Sequence, residues 1–391
     1  MSSVIVRKRT AVTPLSGEHA FFATTAKGVE DVLAAEMRSL GFRGVAIERG
    51  GVRFTGDLAA CYRANLWLRT ASRILVPLAQ FPCDSPQRLY DGVRSIQWND
   101  WLTPDMTLAV ESTLRDSVLT HSGFVALKAK DAIVDTIRDR HGRRPNVNPR
   151  QPDLGVHVHL ARNVCTVSLD SSGASLDRRG YRTDAGEAPL RETLAAALVE
   201  ITGWDGTVPL LDPMCGSGTI LVEAALKALN RAPGLIRERF GFQHWPGFDS
   251  SLWRRLVTEA RQGERTSLPA PLLGSDQQTD LLAIAAANAR RAGVEQHITF
   301  TSGDMRDLAP PPAPGVILFN PPYGRRLGEE EELRGLYRQI GDVLKQRCAG
   351  YTAWLLTGGT ELAKAVGLRA SRRIVLFNGP LECRFLRFDL Y

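Results

Sequence analysis

The sequence predicts an α/β protein: a doubly wound parallel sheet that ends in an antiparallel hairpin, preceded by smaller α+β units. Three observations support this. From Leu190 onward, short apolar runs alternate with helical patterns, the signature of βαβ units. The final segment "RRIVLFNGPLECRFLRFDLY" holds two apolar runs that meet at Asn378-Gly379-Pro380, a hairpin signal. Before Leu190 the strand-like runs are more widely mixed with helices and carry more basic charge.

The elements follow in order. "FFATT" reads as a strand, "KGVEDVLAAEMRSLGF" as an amphipathic helix stopped at Gly41, and "GVRFTG" as a second strand. "DLAACYRANLWLRTASRILVPLAQF" adds a helix and a strand, which closes a small α+β unit near residue 85. "DMTLAVEST", "SGFVALKAKDAIVDTIRDRHG" and the hairpin "LGVHVHLARNVCTVSLDSSG" make a second unit. The polar stretch 173–189 reads as a linker. The remainder gives helix "LRETLAAALVEITGW", strand "VPLLD", glycine-rich "PMCGSG", helix "TILVEAALKAL" and then a polar insertion over 230–268. Strand "PLLGSD", helix "QTDLLAIAAANARRAG", "ITFTSGD", "GVILFN", helix "ELRGLYRQIGDVLKQRC" and strand "YTAWLLTGG" complete it. A parallel sheet with this terminal hairpin departs from the dehydrogenase plan and matches that of class I S-adenosylmethionine methyltransferases.

Composition narrows the function classes. The chain has 391 residues, 43% hydrophobic and 23% charged, and is long enough for two or three cores. It has no apolar run near the ~20 residues of a membrane span and no signal-peptide pattern. Six scattered cysteines form no C-x-x-C pair, so neither a disulfide framework nor a metal site is expected, and a cytoplasmic location follows. The net charge of +7 is uneven: residues 1–190 carry 25 Lys+Arg against 20 Asp+Glu, and the rest 24 against 22. The run "RDRHGRRPNVNPR" (138–150) holds five arginines beside one acid. With Lys128 and Lys130 on the preceding helix, Arg138, Arg140, Arg143, Arg144 and Arg150 form a candidate phosphate-binding cluster.

The chemistry concentrates at four strand ends. In "LLDPMCGSGT" (210–219), Asp212 ends a strand, and Gly216 and Gly218 let the backbone approach a ligand. The segment lacks the tail of a phosphate loop, and its acid suits a cationic ligand such as the ammonium of a methionine moiety. Asp276 ends the next strand, placed to accept both ribose hydroxyls, 64 residues after Asp212. That gap is accommodated if 230–268 is a lid or a surface excursion. Asp304 ends the third strand and can accept an adenine amine. At the fourth, Val316–Phe319 runs into Asn320-Pro321-Pro322-Tyr323. The prolines stiffen a rim and remove two N–H donors. The Asn320 amide oxygen and the Pro321 carbonyl can hold an exocyclic amine while Tyr323 stacks on its ring. Such a clamp works by positioning and charge placement, and needs the target base out of its stack.

"LDPMCGSGT" with "NPPYG" resembles the THUMP-containing RNA guanine-N2 methyltransferases. "FFATTAKGVEDVLAAE", "KAKDAIVDTIRDR", "RRPNVNP", "SLDRRGYR", "PLRETLAAALV", "RAPG" and "FNGPLECR" extend the likeness to the RlmL type over about residues 20–385. The resemblance implies a ferredoxin-like domain (1–85), a THUMP RNA-binding domain (86–172), a linker (173–189) and a methyltransferase domain (190–391). It implies S-adenosylmethionine as cofactor, held by Pro189, Leu190 and Thr193 of "PLRETL" and by Asp212, Pro213, Met214, Cys215, Gly216, Gly218 and Thr219. Asp276 with Gln277, Asp304 with Met305, and Asn320 would complete that site. It places catalysis on Asn320, Pro321, Pro322 and Tyr323, and implies a guanine of large-subunit ribosomal RNA as target, free or in an assembling particle. The enterobacterial form continues into a second methyltransferase domain; this chain ends at Tyr391, so a second modification activity is not expected in it. A transfer-RNA guanine-N2 methyltransferase shares the domain plan and the tetrapeptide, and a DNA adenine methyltransferase shares the tetrapeptide. A non-catalytic RNA-binding assembly factor is the alternative of another class. No membrane partner is expected, and a monomer is the working expectation for oligomeric state.

Overall fold

The structure, a computed structural model, describes residue 15 and residues 17–182, 190–323 and 330–391. The first half supplies β1 (His19–Thr24), α1 (Glu30–Ser39), β2 (Arg43–Glu48), β3 (Gly51–Gly56), α2 (Leu58–Trp67) and β4 (Arg73–Pro82). It continues with α3 (Pro86–Arg94), β5 (Thr107–Arg115), α4 (Ser122–His141), β6 (Asn146–Val147), β7 (Leu154–Ala161) and β8 (Val164–Asp170). These strands form one eight-stranded sheet in the order β2-β3-β1-β4-β8-β7-β5-β6. The long strand β4 is the seam. One edge pairs with β1, and the other runs antiparallel to β8 from Leu75↔Asp170 to Pro82↔Val164. Pairing on both sides leaves neither α+β unit with an open edge there.

Three elements in this half are not expected from the sequence: the two-residue strand β6, helix α3 and strand β2. Helix α3 starts at Ser85-Pro86: the Ser85 hydroxyl accepts the Arg88 N–H, and Pro86 occupies the first turn. The start signal was therefore written in two residues, but the helix is only nine residues long. Strand β2 has largely exposed side chains, so it lacks the alternation that betrays a half-buried strand.

The second half contains α5 (Glu192–Thr202), β9 (Leu210–Asp212), α6 (Thr219–Ala228), α7 (Ser250–Gln262), β10 (Leu272–Asp276) and α8 (Thr279–Arg291). Then come β11 (Ile298–Ser302), β12 (Gly315–Phe319), α9 (Glu330–Arg347), β13 (Tyr351–Gly358), α10 (Thr360–Ala365), β14 (Arg372–Asn378) and β15 (Leu381–Asp389). The seven-stranded sheet has the order β11-β10-β9-β12-β13-β15-β14. Only β15 runs antiparallel, pairing with both β13 and β14. This is the class I methyltransferase plan the terminal hairpin predicts. The strand order reverses beside β9, so the ligand crevice lies outside the carboxyl ends of β9, β10, β11 and β12.

The insertion 230–268 is neither a lid nor a surface excursion. Phe240, Phe242 and Trp245, with Leu256 and Ala260 of α7, are buried in the core of the first half. Tyr62 of α2 stacks on Phe242 at 4.3 Å, and its hydroxyl accepts the Asp249 N–H at 3.1 Å. Trp101 meets Trp245 edge-on at 5.5 Å. The segment's polar composition hid these aromatics, which are spaced without helical or strand period. It is a clasp that fastens the methyltransferase sheet to the N-terminal sheet.

Residues 173–182, polar in sequence, lie along this junction. Arg179 is 1% exposed; its Nη1 donates to the Leu176 carbonyl at 2.8 Å and its Nη2 to that of Arg69. Its Nε lies 3.5 Å from Glu223 of α6, which also accepts the Tyr181 hydroxyl at 3.1 Å. Arg237, from the insertion, donates to the carbonyls of Ala174, Ser175 and Arg178 at 2.7–2.8 Å. Polarity here means internal bonding, not exposure.

Phe242→Ala is expected to cost about 3–5 kcal/mol. Because the clasp belongs to a shared core, chemical denaturation of the wild-type chain should show coincident transitions by far-UV circular dichroism and tryptophan fluorescence. Loss confined to one half, with the other unfolding unchanged, would refute the shared core.

Candidate active site

The four strand ends named from sequence converge on the carboxyl edge of the second sheet. Asp212 closes β9 and is 2% exposed. Its Oδ1 accepts the Met214 N–H at 3.2 Å. Burial raises its pKa to about 8, against the lowering effect of that bond, and the Asp276 carboxylate adds to the rise.

The loop after Asp212 is shaped by backbone bonds. The Cys215 N–H donates to the Ser275 carbonyl at 3.0 Å, and the Gly218 N–H to the Cys215 carbonyl at 2.8 Å. Gly216 and Gly218 both have positive φ, 51° and 77°. A Cβ on Gly218 would lie 3.0 Å from the Ala285 Cβ, so this glycine lets the loop rest on α8. A Cβ on Gly216 would meet nothing within 4 Å among the described residues, so this glycine borders open space there. Asp276 fastens the loop from the next strand, with Oδ2 accepting the Gly216 N–H and Oδ1 the Gln278 N–H, each at 2.9 Å. Gln277 is exposed beside it, and Pro213 and Cys215 are buried. Two acids flank an open glycine loop: Asp212 is held protonated by burial in the ligand-free protein, and a cationic ligand beside it would favour its ionised form.

Asp304 caps one helical turn at 305–307. Arg306 holds it through its backbone N–H (2.8 Å), Nε (3.0 Å) and Nη2 (2.8 Å), which depresses the Asp304 pKa. An adenine amine would share an acceptor already engaged by a guanidinium. The Met305 side chain is 4% exposed in a core cluster with Leu211, Ile317 and Phe319, and Met214 packs on that cluster.

Asn320 follows β12 directly, and its Oδ1 is fully buried with no hydrogen-bond partner among the described residues. A buried amide oxygen without a donor is costly, by about 1–3 kcal/mol, and marks a place where a donor is missing. Pro321 is buried and Pro322 exposed. The half-buried Tyr323 ring packs inward over Gly358.

Leu190 and Thr193 are buried beside the loop, whereas Pro189 lies outside the described residues. Two neighbours of the candidate site, Arg182 and Glu192, are not expected from the sequence. Arg182 Nη2 donates to the Leu190 carbonyl at 2.8 Å and to the Thr219 hydroxyl at 2.5 Å. Its Nε lies 3.7 Å from Glu192, whose pKa burial raises to about 7 although Arg182 opposes the shift. Arg182 thus ties the start of α5 to the start of α6. Nothing in "RRGYR" distinguishes it from the neighbouring arginines.

The basic cluster is partly neutralised. Lys128 lies 4.8 Å from the centroid of the Tyr90 ring, and Lys130 pairs with Asp131 at 2.7 Å. Arg138 is held by Asp135 and Asp139, and Arg143 by Asp105 at 3.1 Å. The side chains of Arg140, Arg144 and Arg150 make no ion pair among the described residues. All six cysteines are free. Among the described residues no His/Cys/Asp/Glu cluster has metal-binding geometry, and no helix is long and apolar enough to cross a membrane.

Sheet order, glycine loop and tetrapeptide together define an S-adenosylmethionine-dependent methyltransferase. Comparison with known proteins narrows the class. Residues 179–387 match the RMKL-like methyltransferase domain, residues 20–75 the RlmL ferredoxin-like domain and residues 83–170 the THUMP domain. A protein of Synechocystis sp., provisionally assigned as an RNA methyltransferase, is 46% identical over 95% of this chain and 97% of its own length. The ribosomal RNA large subunit methyltransferase K/L of Methylococcus capsulatus is 45% identical over 95% of this chain but 51% of its own length. The chain thus spans about half the length of the K/L enzymes it matches. The crystal structure of SMU.472, assigned as a methyltransferase and complexed with S-adenosylhomocysteine, superposes with a TM-score of 0.87 at 30% identity, covering 96% of this chain and 99% of the other. The chain belongs to the RMKL-like methyltransferase family, in its RlmL-type arrangement of ferredoxin-like, THUMP and methyltransferase domains.

The buried acids set a pH dependence for the ligand-free protein. Asp212 and Glu192 have folded pKa values raised above those of the unfolded chain, so the folded state binds protons that the unfolded state releases. Their contribution is complete below about pH 4 and is lost as pH rises through 7–8. Denaturation midpoints from pH 5 to 8.5 should fall more in wild type than in Asp212→Asn, the difference being on the order of a few kcal/mol. Parallel profiles would show that Asp212 is not held protonated.

Proposed function

We propose that this chain transfers a methyl group from S-adenosylmethionine to the exocyclic N2 amine of a guanine in large-subunit ribosomal RNA. The observation that carries this reading is the buried Oδ1 of Asn320 at the end of β12, which has no hydrogen-bond partner among the described residues. An amine placed there donates one N–H to Asn320 Oδ1 and the other to the Pro321 carbonyl. Both N–H bonds being fixed, the nitrogen lone pair turns out of the ring plane toward the methyl donor. When bound, the cofactor supplies an electrophilic sulfonium methyl. The nitrogen forms a bond to that carbon, the carbon–sulfur bond breaks, and the methylated nitrogen loses a proton to solvent. No group of strong basicity is required.

The cofactor is assigned to Asp212 for the methionine ammonium, the Pro213–Gly218 loop for its backbone, and Asp276 for the ribose hydroxyls, with Leu190, Thr193 and Thr219 beside it. The fit rests on the open space at Gly216 and on the two acids beside the loop, Asp212 buried and Asp276 half-buried. The assignment of RNA rests on the THUMP match and on the names of the K/L relatives. We place RNA holding in residues 1–172 and chemistry in 190–391, joined through 173–189. In this reading ribosomal RNA, free or in an assembling particle, is the partner, and the chain works in the cytoplasm. Labelling of purified 23S ribosomal RNA against transfer RNA tests the substrate, and transfer to the second alone would replace it.

Asn320→Ala should lower methyl transfer by about 10²–10³, with cofactor affinity, measured by calorimetry, within a few fold of wild type. Full turnover by this variant would refute the clamp.

The unpaired arginines give a second expectation. Replacing Arg140 and Arg144 by alanine should reduce the slope of log affinity against log salt by about one to two. Arg138→Ala should change it less, since Asp135 and Asp139 already compensate that charge. Filter binding of 23S ribosomal RNA across a salt series measures this; equal effects would show that the ion pairs break on RNA binding.

A further inference from the structure

Tyr323 is held by an element 55 residues away. Asn378, the last residue of β14, donates its side-chain Nδ2–H to the Tyr323 hydroxyl at 3.3 Å. Asn-Gly is common turn chemistry, but the turn here does not need this asparagine. Asn378 pairs with Leu381 as a strand residue, and Gly379 supplies the positive φ of 61°. The amide group instead leaves the hairpin to meet the tetrapeptide.

The ring has a fitted seat. A Cβ on Gly358, at the end of β13, would lie 2.7 Å from Tyr323 Cδ2 and 3.2 Å from Cγ. Only a residue without a side chain lets the ring lie there. Gly358 pairs with Cys383 of β15, and Cys383 with Leu376 of β14, so three adjacent strands form the floor. Burial holds the hydroxyl well above its ordinary pKa, which keeps it neutral. The hairpin is braced from its other side by the N-terminal half. The Lys27 ammonium sits 4.1 Å from the centroid of Phe377, and Gly28 (φ 91°) backs onto the Val375 carbonyl, where a Cβ would be 2.6 Å away.

We propose that Asn378 is a positioning residue for methyl transfer: it anchors the Tyr323 hydroxyl over the Gly358 seat, so that the ring stands as a fixed wall for the target base. This rests on the reading under Proposed function that Asn320 and Tyr323 hold that base. Rotation of the ring would let the base tilt, and the amine would leave the line of the methyl donor.

The test uses the full chain, S-adenosylmethionine and unmodified 23S ribosomal RNA transcript, with kcat and KM measured for Asn378→Ala, Tyr323→Phe, the double variant and Asn378→Asp. Asn378→Ala and Tyr323→Phe should each lower kcat about 5–20-fold, the scale of one oriented hydrogen bond. KM for RNA and cofactor affinity should stay within about threefold of wild type. The double variant should be no slower than Tyr323→Phe alone, because that variant already removes the Asn378 contact together with the one the hydroxyl makes to the Cys383 thiol. Asn378→Asp, whose carboxylate accepts from the Tyr323 hydroxyl, should recover most of the loss. Additive losses, or wild-type kcat in Tyr323→Phe while Asn320→Ala is inactive, would overturn the proposal. Should Asn378→Ala not fold, Tyr323→Phe decides alone. Activity in Asn320→Ala would instead refute the clamp itself, and this inference with it.

Discussion

The buried guanidinium of Arg179 is the constraint on which the arrangement of the two sheets depends. A charge 1% exposed is tolerated only where its donors are met, and the partners here come from separate parts of the chain. Arg69 lies between α2 and β4, Leu176 in the junction, and Glu223 on α6. Helix α6 is the one that the glycine loop opens. The same set of contacts that joins the halves therefore fixes the helix whose first turn borders the cofactor crevice. Arg182, two residues beyond Tyr181, continues this to Thr219 and to the start of α5. Removing one partner would leave a buried charge uncompensated, at a cost of about 3–5 kcal/mol.

The placement of much of the candidate site was legible because the residues proposed for it are local to strand ends. Asp212, Gly216, Gly218 and the tetrapeptide each stand where a strand ends, and a parallel sheet carries its strand ends to one edge. The acid, the positive-φ glycines and the rigid proline rim are requirements of single positions, so they are written as single residues. The terminal hairpin was equally legible, since Asn378-Gly379-Pro380 separates two apolar runs.

The remainder depended on tertiary partners that no short segment reveals. Phe240, Phe242 and Trp245 show their meaning only when Tyr62 and Trp101 are brought against them. Arg179 and Arg182 look like solvated charges until Glu223, Glu192 and three backbone carbonyls surround them. The basic run misled in the other sense: Arg138 and Arg143 look free in sequence, yet acids from the same helix and from residue 105 lie beside them. Asp304 likewise stood as an open acceptor until Arg306, two residues on, proved to fold back over it.

The shared core also bears on how a base reaches the clamp. Domain closure needs an interface that slides or a hinge with few contacts across it. Here aromatic stacking, the Arg179 set and the contact of Lys27 and Gly28 with β14 all cross between the halves. With the protein fixed at three separate places, the large displacement falls to the nucleic acid. In the proposed reading the target base leaves its stack and travels to the carboxyl edge of the second sheet. There the Asn320 Oδ1, which has no hydrogen-bond partner among the described residues, would meet the N–H of the target amine. In that reading, the hydrogen bond formed when the amine binds helps to offset the unstacking of the base.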